Sequence, residues 1–267
     1  MDAKTRLQSW VVTRRVKAML DHFGRHRGNL FAGAITYAGF LAFFPILAIA
    51  LAVAGYVADI YPDAQDVVIE AIDQILPGIV GTGSEGTINI DDISSASGAL
   101  GIVGFLALFL TGIGWIAVVR DSLDAMGGLP TSRNPSFVKA KVKDLKSLVL
   151  VGVILSLSVA ASSTIRIFGG AWLAWTAPLF GVLISVALFY GLYRVVPEAP
   201  IERRWALEGA VLAAVGFEII KFVFVSILSG VGGTPFAPFA VAITVLVWIN
   251  YFAKVMLFGA AWAHTRR

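Results

Sequence analysis

The sequence contains no cysteine, so disulfides, zinc–thiolate centres and thiol nucleophiles are excluded. Histidine is nearly as scarce: the three are His22, His26 and His264, all outside the apolar segments. So few, and so scattered along the chain, they predict no metal site, and no cofactor-binding motif accompanies them. Charge is thin as well. Asp, Glu, Lys and Arg make up 14% of the residues and apolar types 58%, against about 25% and roughly 45–50% in soluble domains. Mean hydropathy is +0.82. A soluble fold of 267 residues could not hide that much apolar side chain, so the excess needs lipid as its solvent. The net charge of +4 then reads as basic cytoplasmic loops facing anionic lipid, not as a nucleic-acid surface.

What is present is a series of long uncharged runs. At roughly 20 residues per span, they predict an all-α, polytopic membrane bundle of about six transmembrane helices. The spans fall at about 31–57, 98–119, 148–165, 172–193, 206–228 and 236–262. Pro45 lies inside the first and removes one backbone donor there. Ala52-Val53-Ala54 resembles a signal-peptidase site, but the apolar run before it exceeds the roughly 7–15 residues of a signal h-region. An uncleaved span is the better reading.

Residues 1–29 form a basic cytoplasmic segment, and 30–267 the six-span domain. In the first, Val12, Val16, Met19, Leu20 and Phe23 recur at helical spacing and predict a short helix on the membrane surface. Residues 59–96 hold eight acidic side chains and no Lys or Arg. Within them Val67, Val68, Ala71, Ile72, Ile75 and Leu76 share a face, predicting an amphipathic helix over about 64–76. Leu76-Pro77-Gly78 closes it, and a Gly/Ser/Thr/Asp-rich loop runs on to Ser97.

Lys and Arg set the orientation. The amino-terminal segment has seven, the 120–147 loop six, the 194–205 loop three and the carboxyl tail two, against one, Arg166, in the opposite loops. Both termini are therefore expected in the cytoplasm, which requires an even number of spans.

Polar groups inside spans are the candidates for function. Glu218 falls about 18 Å into the fifth span at the helical rise, near mid-bilayer, with Lys221 one turn on. A lone charge there costs roughly 2.5–3.5 kcal/mol, so the two are expected to pair along one helix face. In the sixth span Asn250, Tyr251 and Lys254 lie within one arc, and Glu208, at the start of the fifth, is the expected partner of Lys254. The alternative for these pairs is that they only hold helices together. Ser156, Ser158, Ser162, Ser163 and Thr164 make the third span polar, chiefly by back-bonding to their own helix. Gly98, Gly101 and Gly104 read as helix contacts and not as a phosphate loop, which would need a Lys-Ser/Thr after them. No catalytic set assembles: a Ser-His-Asp arrangement needs a histidine in reach of an outer-face serine, and the dense carboxylates lie on the outer loop.

The segment Ala34-Ile35-Thr36-Tyr37-Ala38-Gly39-Phe40-Leu41-Ala42-Phe43-Phe44-Pro45 resembles the first span of the YihY/virulence factor BrkB family. Trp205-Ala206-Leu207-Glu208-Gly209-Ala210 followed by Phe217-Glu218-Ile219-Ile220-Lys221 resembles its fifth span. Val247-Trp248-Ile249-Asn250-Tyr251 through Leu257-Phe258-Gly259-Ala260 resembles its last. Two departures stand out: Ala38-Gly39 follows Tyr37, and Gly209 occupies a position where the family commonly has Pro.

The resemblance implies a bacterial inner-membrane protein of envelope biogenesis and proposed export of envelope lipids. One branch of the family is labelled ribonuclease, a label these residues do not support. The reading of the chain is a non-enzymatic transporter or flippase-like exporter of an envelope lipid or amphiphile. Its pathway candidates are Glu218, Lys221, Lys254, Asn250, Tyr251, Glu208, Tyr37 and Pro45, and its partners are membrane lipids, with no nucleic acid. The alternative is a non-transporting membrane scaffold that binds envelope-assembly partners through the acidic outer loop.

Overall fold

The computed structural model describes residues 3–60, 80–81, 88–129, 141–154, 177–228 and 237–265. They are almost wholly helical. The helices are α1 (Ala3–Arg25), α2 (Gly28–Ile60), α3 (Ile90–Met126), α4 (residues 141–154), α5 (Ala177–Val195), α6 (Arg203–Leu228) and α7 (Ala237–His264). The one departure is a two-residue parallel pairing of Val80–Gly81 with Ile88–Asn89. Among the described residues, three stretches are long and apolar enough to cross a membrane: Gly28–Val53, Ala96–Met126 and Ala242–His264. The amphipathic segment predicted at 64–76 and the Ser/Thr residues at 156–164 lie outside the described residues.

Helix ends fall where backbone chemistry places them. Arg27 adopts a left-handed conformation (φ 54°), its amide bonding the Gly24 carbonyl at 3.1 Å, and this turns the chain from α1 into α2. α3 stops at a Schellman motif. Gly128 takes φ 75°, the Leu129 amide donates to the Asp124 carbonyl and the Gly128 amide to the Ala125 carbonyl, each at 3.0 Å.

Two expectations need correction here. Residues 90–97, read as loop, form the first turns of α3. Both α3 and α4 also extend beyond their apolar stretches, α3 to Met126 and α4 from residue 141. Hydropathy marks what faces lipid; the helix continues until its backbone is broken.

The described residues divide into two compact units. The first draws on Met1–Ile35, Trp115–Lys221 and Asn250–Arg267. Its core is the crossing of α6 and α7, where Ala206, Ala210, Ala213 and Ala214 meet Ala253, Ala260 and Ala261, all essentially without exposure. Small side chains let two backbones approach where lipid gives no hydrophobic drive to bring helices together. At Gly209 an added Cβ would strike the Gly259 carbonyl, and at Gly259 it would strike the Tyr193 hydroxyl. The departure at Gly209 thus sits at the tightest point of the crossing. Tyr193 Oη donates to the Met256 carbonyl at 2.6 Å. Phe217 packs edge-on against Phe189 and Phe252, with ring centroids 5.9 and 5.4 Å apart.

The second unit, from Thr36–Gly114 and Phe222–Ile249, packs α3 on α2 through small residues. A Cβ at Gly104 would lie 3.1 Å from Ile49 and 3.2 Å from Ala48, and one at Gly101 would lie 3.6 Å from Ala52. Gly98 has open space around it, so two of the three glycines serve the helix contact that their spacing predicted.

Candidate functional site

Glu218 and Lys221 lie past the middle of α6, whose sequence is otherwise apolar from Gly209 to Phe217. Their side chains pair as predicted, with Lys221 Nζ 2.6 Å from Glu218 Oε1. The order, Glu before Lys at i,i+3, suits both the helix face and its dipole. A third group completes the cluster. Ser185 of α5 donates from Oγ to Glu218 Oε1 at 2.8 Å. Gly181, one turn earlier on α5, makes room for the carboxylate: a Cβ there would stand 4.0 Å from each of its oxygens. Lys221 also stands 5.0 Å from the centroid of the Phe217 ring, a cation–π arrangement.

The pair is not sealed in the core. The Lys221 and Glu218 side chains retain 38% and 28% exposure, while the α6 residues that meet α7 retain essentially none. One carboxylate oxygen therefore holds two donors, and both charges remain reachable from outside the helix packing. Such an arrangement can present a cation and an anion together, or pass a proton through the carboxylate.

The other expected residues are placed differently. Tyr251 and Lys254 form their own pair on α7, the ammonium 5.3 Å from the ring centroid, whereas Glu218 bonds Lys221 of its own helix and Ser185 of α5. Asn250, also on α7, is engaged in an interaction of its own. Glu208 was expected to meet Lys254; instead Arg15 of α1 supplies its ion pair, at 3.2 Å. The same guanidinium lies 4.1 Å from the centroid of Trp262. The basic amino-terminal helix, with Met19 and Phe23 buried and Phe23 4.4 Å from Phe258, packs on α7 and so reaches Glu208 first. Tyr37 and Pro45 belong to the second unit, the tyrosine exposed and the proline buried.

A second polar cluster escaped the sequence reading. Arg120 of α3 pairs with Asp144 of α4, the carboxylate buried and the guanidinium nearly so. Asp124 accepts the Glu198 amide at 2.8 Å. Lys143 donates to the Pro197 carbonyl at 2.6 Å and lies 3.7 Å from the Glu198 carboxylate. These bonds fasten the α5–α6 loop to α3 and α4.

The three histidines also come together, despite their separation in sequence. His22 stands 4.1 Å from His26 and 6.2 Å from His264 between ring centroids. His22 Nε2 donates to the Met126 carbonyl at 2.8 Å. Among the described residues, no group of three His, Cys, Asp or Glu side chains is placed to hold a metal ion.

These features define a class: a helical membrane protein whose charged side chains pair within and between its helices. Residues 19–267 match the model of the virulence factor BrkB family, and the chain belongs to that family. It is 29% identical to the inner membrane protein YhjD of Escherichia coli K12, over 92% of this chain and 78% of that one. An uncharacterized protein of Dickeya dadantii is 30% identical, over 92% and 80%. A UPF0761 membrane protein of Chromohalobacter salexigens is 25% identical, over 96% and 65%. No solved structure matches.

Proposed function

We propose that this chain is a six-span carrier of the bacterial inner membrane that moves an envelope lipid or amphiphile, with both termini in the cytoplasm. The observation that carries the reading is the Glu218–Lys221–Ser185 cluster, two charges and a hydroxyl at bilayer depth that keep access to the outside of the packing. A purely structural pair would gain by burial, because a charge facing hydrocarbon at mid-bilayer costs several kcal/mol. An exposed pair is instead suited to a polar headgroup crossing the membrane, one charge meeting each end of a zwitterion. Glu218 can also exchange a proton as its contacts with Lys221 and Ser185 open and close. Kinship with an inner membrane protein and the excess of Lys and Arg in alternate loops support the location and orientation. The role is that of a carrier and not of an enzyme.

The experiment is lipid translocation by the purified chain in proteoliposomes, with leaflet-selective quenching of fluorescent lipids. Glu218→Gln and Lys221→Met are expected to fold and to lose most translocation. Equal rates for these variants and the wild type would overturn the polar path. If the wild type moves no lipid yet deletion of residues 84–96 abolishes its cellular role, the scaffold reading takes its place.

A further inference from the structure

The bend between α1 and α2 turns three consecutive basic residues toward one cleft. Its volume is about 600 Å³, inside the roughly 300–1,000 Å³ of small-molecule pockets. One side is Arg25, His26 and Arg27; the other includes Leu30, Phe31 and Leu129, and no carboxylate lines it. The shape follows from the backbone. Arg27 is left-handed, and Gly28 must stay small because a Cβ there would fall on the Phe23 ring. α2 starts at this point and adds the positive end of its dipole.

The basic groups are poised for an anion. Among the described residues, neither Arg25 nor Arg27 has an ion-pair partner. The Arg25 Nε donates to the Asp21 carbonyl at 3.3 Å, which fixes the stem and leaves the outer nitrogens to point elsewhere. His26 Nδ1 lies 2.9 Å from the His22 carbonyl. A carbonyl only accepts, so Nδ1 carries the proton and Nε2 is the nitrogen left for a ligand.

We propose that this cleft binds the phosphate-bearing headgroup of an anionic lipid. Arginine forks match phosphate oxygens two at a time, which accounts for the basic side. The apolar side selects a lipid over a free phosphate, since Leu30, 65% exposed at the rim, and Phe31 offer nothing to an inorganic ion. The location agrees: α2 begins its apolar stretch at Gly28, which sets the cleft at headgroup depth. The proposal rests on α2 being a span and is independent of transport, because a scaffold could hold such a lipid equally well.

The test is equilibrium binding of short-chain phosphatidylglycerol to the detergent-purified full chain, with phosphatidylcholine and inorganic phosphate as the other probes. Arg25→Gln/Arg27→Gln is expected to weaken phosphatidylglycerol binding about tenfold, since each surface cation near an anionic lipid contributes on the order of a kcal/mol. A charge-matched control, Lys146→Gln/Arg203→Gln, should stay within about twofold of the wild type. Equal weakening in the control, or equal affinity for phosphatidylcholine, would overturn the site. Displacement of the lipid by about 10 mM inorganic phosphate would make the ligand a soluble phosphate and reject the lipid. If the double variant elutes as aggregate, Arg27→Gln alone carries the test with about a threefold loss. Loss of translocation with intact binding would count against the carrier and leave this site standing.

Discussion

In the unit built from Met1–Ile35, Trp115–Lys221 and Asn250–Arg267, the large apolar residues Phe189, Tyr193, Ile116 and Leu257 are fully buried. In the unit built from Thr36–Gly114 and Phe222–Ile249, similar residues face outward, among them Phe44, Ile102, Phe105, Leu110 and Phe222. Every ion pair among the described residues belongs to the first unit. The same apolar alphabet therefore does two jobs. In one unit it packs around charged groups that must be satisfied; in the other it faces the solvent that lipid provides. Water would expel the second arrangement, and hydrocarbon does not. Stability is thus expected to depend on close packing and paired charge in the first unit and to be tolerant in the second.

The largest break in that contrast is Arg120→Met. It leaves the Asp144 carboxylate buried and unpaired, and Asp144 Oδ2 and Ser147 Oγ already lack hydrogen-bond partners among the described residues. Removing one partner of a buried pair costs about 3–5 kcal/mol, read as a fall in the thermal unfolding midpoint in detergent. The double change Arg120→Met/Asp144→Leu should recover most of it. No recovery would mean that Arg120 acts through packing alone.

Next comes Gly259→Leu. Its side chain has to displace the Tyr193 hydroxyl and the Gly209 carbonyl, with Ala213 Cβ 3.0 Å from the new Cβ. Overpacking of this kind costs about 1–3 kcal/mol. Gly114→Ala in the second unit is the matched control: nothing lies within 4 Å of its Cβ, and helix propensity favours alanine by up to about 1 kcal/mol. The two should move the midpoint in opposite directions. A smaller loss, about 1 kcal/mol, is expected for Tyr193→Phe, which removes the 2.6 Å bond to the Met256 carbonyl.

These residues also show how far the sequence could be read. Glu218 and Lys221 were legible because an i,i+3 pair is a local fact, and the apolar cores of α2, α6 and α7 were legible from length and hydropathy. Ser185 was not, because its bond to Glu218 spans 33 positions and depends on which helix lies beside α6. Arg120 and Asp144 were assigned to a loop because charge was taken as the end of a helix. The stop signal was instead Gly127-Gly128, where the backbone needs a left-handed residue. Glu208 went to Arg15 and not to Lys254 because nothing in the sequence says that α1 folds back onto α7.

The finest test of the packed unit is pH. His22 is half-buried, and burial, the largest influence, lowers its pKa from the ordinary 6.5; its bond to the Met126 carbonyl opposes the shift, while His26 and Arg25 add to it. His264 stacks on its other side, so the three rings and Arg25 are the titratable and charged groups around it. The folded protein therefore holds His22 neutral at a pH where the unfolded chain has begun to protonate. With the unfolded state binding more protons, stability falls as pH drops. The contribution is complete above 6.5 and is lost as pH falls from there through the folded value. Unfolding midpoints measured between about pH 8 and 5 should decline on the acid side, and His22→Asn should flatten that decline. An equal slope in the variant would remove His22 from the account.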